Sequence, residues 1–109
     1  MIGSRYSPHQ IARAEKMKVA LKHKTPLKDY YQTKIFEKKK WSAHEVIVKT
    51  GEGISLKDRF NCDCFWWSNE TIHGNKFCSH CLAVLKKLCE EGVIDKSIWT
   101  SVVEGEFIY

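Results

Sequence analysis

At 109 residues, with 43% hydrophobic and 28% charged residues, the chain suits one globular domain with a modest core, and this composition excludes wholesale disorder. Its net charge of +5 is carried unevenly: residues 1–41 hold eleven Lys or Arg against three acids, a balance of +8, so the rest is net acidic. No apolar run approaches the ~20 residues that span a bilayer, and the first residues carry no apolar signal core, so a cytoplasmic protein with neither a membrane nor a small-molecule partner is expected.

Ser7-Pro8-His9-Gln10 reads as a helix start, with Ser7 as cap, Pro8 in the first helical position and Gln10 closing a capping box. Ile11, Ala14, Met17 and Leu21 then recur at helical spacing opposite Arg13 and Lys16, which predicts a helix from about Pro8 to His23, stopped by Pro26. Its basic face is left for phosphates or for water. Tyr31, Thr33 and Ile35 alternate with Gln32, Lys34 and Phe36 as in a strand. Lys38-Lys39-Lys40 follows as a turn or exposed edge, whose lysines either meet a phosphate backbone or guard the edge against unwanted pairing.

Glu45-Val46-Ile47-Val48-Lys49 is a strong strand signal, Gly51-Glu52-Gly53 predicts the turn, and Ile54 to Cys62 is expected to return as the partner strand. That strand ends in Cys62-Asp63-Cys64. On an extended segment residues two apart leave the same face, so both sulfurs can reach one ion. Thirteen residues separate Cys64 from Cys78-Ser79-His80, which runs into the apolar helical pattern of Cys81 to Leu88. A turn entering a helix can therefore present the second pair. Three thiolates and an imidazole complete the closed tetrahedral shell of a structural zinc ion and leave no position for a reactive water. Other readings of the same residues are buried thiols beside a hydrogen-bonded histidine, or disulfides, which are rare in reducing compartments. Cys81 is a second candidate for the fourth ligand, and the loop residue His73 a conceivable substitute.

Cys62-x-Cys64, a spacer, and Cys78-x-His80 running into an apolar helix resemble the SWIM-type zinc finger over residues 41–91. The resemblance implies a β-hairpin, a metal knuckle and a helix, ligands at Cys62, Cys64, Cys78 and His80, and a role in binding DNA or protein partners.

Of the three adjacent aromatics Phe65-Trp66-Trp67, at least one is expected near the surface, where Trp66 could stack on an unpaired base. The helix from about Ser79 to Glu91 buries Cys81, Val84, Leu85 and Leu88, pairs Lys86 with Glu90 and Lys87 with Glu91 on its outer side, and ends at Gly92. Ile98, Trp99, Val102 and Val103 suit a further short helix.

The expected fold is α+β: a small antiparallel β-sheet with a zinc knuckle, a helix packed on it from the C-terminal side, and an N-terminal helix. Residues 1–40 form the basic helix and strand segment, 41–92 the zinc-binding module, and 93–109 a tail on the same domain. With no phosphate-cradling glycine loop and no nucleophile and base arrangement, an enzyme is not expected. The expected function is a module holding one structural Zn2+ that binds nucleic acid, DNA before RNA, through Arg13, Lys16, Lys38, Lys39, Lys40 and Trp66. The alternatives are a protein–protein adaptor in a DNA recombination or repair assembly and a structural or viral accessory protein.

Overall fold

The computed structural model describes residues 8–63 and 77–104. The expectations for Ser7, Cys64, Phe65-Trp66-Trp67, His73 and the last five residues lie outside this range. The chain runs α1 (Pro8–Lys16), β1 (Lys18–Lys24), β2 (Lys28–Glu37), β3 (Lys40–Lys49), α2 (Leu56–Arg59), β4 (Phe60–Cys62), α3 (Ser79–Glu90) and α4 (Lys96–Val103). The strands form one antiparallel sheet in the order β1-β2-β3-β4, with the helices α1 and α3 layered on a single face of it, the α+β arrangement expected.

Alternation along β2 decides which side is covered. Asp29, Tyr31, Thr33 and Ile35 point inward and are buried, while Lys28, Lys34 and Phe36 point outward. In β3, Val46 and Val48 continue the inner face opposite Tyr31 and Asp29, and Cys62 and Phe60 of β4 pair with those two valines. This inner face meets Ala14 of α1, Met17 just beyond it, Leu82, Leu85 and Leu88 of α3, and Val102 of α4 in one core. Each fully buried aliphatic side chain contributes roughly 1.5–3 kcal/mol relative to exposure.

Two expected elements are corrected. The N-terminal helix ends at Lys16, not His23: Met17 N–H donates to Ala14 O, and the chain turns into β1, which pairs with β2 through Lys18–Lys34 to Lys24–Asp29. The stripe Ile11, Ala14, Met17 is helical packing, but Leu21 belongs to the alternation of a strand, and that pairing satisfies the backbone along the outer side of β2. Nor do residues 54–62 form a continuous strand. Ser55 caps the short α2, accepting from Asp58 N, and only Phe60–Cys62 joins the sheet. The Ser55-x-x-Asp58 spacing is the capping signal that marks this turn. Arg59 fixes the preceding loop by donating to the carbonyls of Lys49, Gly51 and Ile54.

The helix α3 follows its sequence pattern closely. It ends before Gly92, whose φ of +78° is the left-handed cap that glycine adopts without strain. The outer pairs Lys86–Glu90 and Lys87–Glu91 form at 2.6 and 3.1 Å. Leu82 and Cys89 are buried as well, and every residue from Ser79 to Leu85 is enclosed, so the first two turns are surrounded on all sides.

Candidate metal centre

Cys62 arrives at the last position of β4, held inward by its pairing with Val46. Cys78 is the N-cap residue of α3, and its side chain makes no capping hydrogen bond. His80 lies in the first helical turn. These three residues, all buried, bring two sulfurs and an imidazole nitrogen within 4.8 Å of one another. The Cys78 Sγ···His80 Nδ1 distance is 3.7 Å. Ligands at zinc bond lengths, 2.3 Å to sulfur and ~2.05 Å to nitrogen, stand about 3.6 Å apart across a tetrahedral angle. The spacing therefore fits two ligands of one ion with little rearrangement.

Local electrostatics suit thiolates. The first turn of a helix presents unpaired backbone N–H groups and the positive end of the dipole, and both favour a negative sulfur at the cap. The two-sulfur, one-imidazole donor set is the borderline-soft combination that zinc takes. His80 turns Nδ1 towards Cys78, and its other ring nitrogen, Nε2, is buried with no hydrogen-bond partner among the described residues, an arrangement that an ion held by Nδ1 leaves unchanged.

Cys81, the competing fourth ligand, is fully buried but its sulfur is not part of the cluster. One helical residue beyond His80, it is rotated away into the core. No disulfide links the described cysteines to one another. Cys64, Trp66 and His73 lie outside the described residues.

Two neighbours of the cluster were not singled out by sequence. His44 on β3 packs its ring against that of His80, with centroids 4.3 Å apart, and its Nδ1 lies 2.9 Å from Asp63 Oδ1. Asp63 is the residue between the two cysteines of the first pair, and its carboxylate also accepts from Glu45 N. The alternation that turns Val46 and Val48 inward turns His44 inward too, so its placement was available from β3 parity.

The predicted basic residues differ in exposure. Lys38 and Lys39 form the β2–β3 turn, and Lys40 opens β3, all three exposed; Lys16 is exposed at the end of α1. Arg13 is instead engaged. Its guanidinium donates to both Glu37 carboxylate oxygens and, through Nη1, to Ser79 Oγ at 2.7 Å, and this contact holds the Glu37 carboxyl below the usual range. Ser79 lies between Cys78 and His80, so Arg13 ties the hairpin end of β2 to the turn that carries them.

No family model, no curated protein and no solved structure matches the chain.

Proposed function

We propose that this chain is a zinc-held binding module of SWIM type, with Cys62, Cys64, Cys78 and His80 as the ligands, and that its partner is nucleic acid. The observation that carries the metal reading is the convergence of Cys62, Cys78 and His80, from a strand end and a helix start, on one buried point. Cys64 enters by its spacing, two residues beyond Cys62. When bound, zinc supplies a crosslink between β4 and α3 and no chemistry on a substrate, so the chain is a binder and not an enzyme. The partner reading rests on charge: the +8 of residues 1–41 and the exposed Lys38-Lys39-Lys40 favour a polyanion.

One preparation tests both halves. Metal analysis of the purified chain is expected to give one zinc per chain, retained in Cys81→Ala and lost in Cys62→Ser, Cys78→Ser and His80→Ala. Anisotropy titrations against labelled DNA are expected to show affinity falling steeply with salt, and Lys38, Lys39 and Lys40 exchanged together for Gln are expected to make the slope shallower. A chain without metal, or one that binds no nucleic acid at low ionic strength, overturns the corresponding half.

A further inference from the structure

The helices α1 and α3 cover one face of the sheet; the residues of opposite parity form a second face that none of the described helices covers. Three side-chain contacts confirm which residues share it. His23 and Tyr30 rings lie 5.6 Å apart, Phe36 and Trp41 rings 5.4 Å apart, and Lys18 Nζ sits 5.2 Å from the centre of the Trp41 ring. Phe36 and Trp41 are 56% and 55% exposed, large values for aromatic side chains, and they lie directly opposite each other in the β2–β3 register. Lys34 projects between the two aromatic pairs, next to Lys18 on β1 and Ala43 on β3. Lys28 and Lys49 face each other at the far end. The acid on this face of the three long strands is Glu45.

From these contacts we infer that the outer sheet face is a docking surface for single-stranded nucleic acid, with Phe36 and Trp41 stacking on bases and Lys18 and Lys34 meeting the phosphates. This rests on the nucleic-acid reading above and specifies its surface and strand state. Tyr30 and Phe36 are six residues apart on β2, so the two aromatic pairs span roughly 20 Å, a length over which an extended strand can lay several bases. Aromatic rings on an open sheet offer π-faces to bases, and these are accessible only when the bases are unpaired. Lysine between the rings argues against a protein partner, because the centres of protein interfaces are rich in aromatics but depleted of lysine. A polyanion with flat, unpaired bases matches both features at once.

The test uses the full metal-loaded chain with labelled oligothymidine, oligouridine and a duplex of mixed sequence. Single strands of either sugar are expected to bind more tightly than the duplex. Trp41→Ala and Phe36→Ala are each expected to weaken single-strand binding by roughly 5- to 100-fold, the usual effect of losing one stacked base, with little change for the duplex, and Trp41→Phe to restore most of it. Lys34→Gln is expected to reduce the single-strand salt slope by about 0.7. Ultraviolet crosslinking of the unmodified chain, followed by peptide mapping, gives a readout independent of any variant; adducts are expected on the segment from Tyr30 to Trp41. Adducts confined elsewhere, equal binding of duplex and single strand, or indifference to both aromatic variants overturns this surface while leaving nucleic-acid binding intact. Absence of binding to every probe at low salt overturns both.

Discussion

Arg13 donates to Glu37 on one side and to Ser79 on the other, so one side chain from α1 holds the end of the hairpin against the turn that presents Cys78 and His80. Both members of the ion pair are partly exposed, which limits the contribution; Arg13→Ala is expected to cost about 1 kcal/mol in chemical denaturation of the metal-loaded chain. The same contact sets a pH dependence. The Glu37 carboxyl is held below its ordinary value, first by the hydrogen bond from Arg13. Its stabilisation is therefore present above the ordinary carboxylate range and lost as pH falls through the lowered folded value. Denaturation midpoints of the chain and of Glu37→Gln are expected to differ at neutral pH and to converge on acidification. At Cys81 the expectation is the opposite of a ligand's: Cys81→Ala keeps its metal and loses about 1 kcal/mol to the small void left in a fully enclosed site.

At the level of elements, the β2–β3 hairpin closes through a two-residue loop between the paired Glu37 and Lys40. Lys38 and Lys39 have φ of +52° and +64°, the left-handed values of the turn that best follows the twist of a hairpin, but a turn usually filled by Asn-Gly. Two lysines held there carry strain. Exchanging Lys38→Asn together with Lys39→Gly is expected to stabilise the domain by about 1–2 kcal/mol, read as a higher denaturation midpoint with an unchanged slope. Under the proposed function the same change is expected to weaken nucleic-acid binding, because it removes two exposed charges. Stabilisation without any loss of affinity would separate the turn from the partner surface.

Across the whole molecule, the candidate metal centre brings together the last strand of the sheet and the first turn of α3, whose first two turns lie within the core. Structural zinc contributes an apparent ~10–16 kcal/mol in small peptides, against the ~5–15 kcal/mol net stability of a typical domain. Chelation is therefore expected to lower the melting temperature sharply. Hydrogen exchange should accelerate first in Phe60–Cys62 and the start of α3, while β2 and β3, paired from Lys28–Lys49 to Glu37–Lys40, stay protected longer. An unchanged melting temperature after complete metal removal would show that the crosslink is not structural.

The sequence by itself determined the features written at short range. The alternation of Tyr31, Thr33 and Ile35 with their neighbours, the length and glycine end of α3, its outer ion pairs, and the Cys and His spacings depend on residues a few positions away, and all could be read directly. The tertiary structure decided the rest. Residues 18–24 satisfy a helical stripe as well as a strand, and only the open side of β2 selects the strand. Arg13 looked like a free cation until folding brought Glu37 and Ser79 to it from 24 and 66 residues away. His44 and Asp63 became neighbours of the cluster only when β3 and β4 paired. That Phe36 and Trp41 stand on the open face could not be read from the sequence, because alternation assigns residues to two faces without saying which face the helices will cover. That choice is made by long-range packing, and here it left the aromatic and lysine face outward.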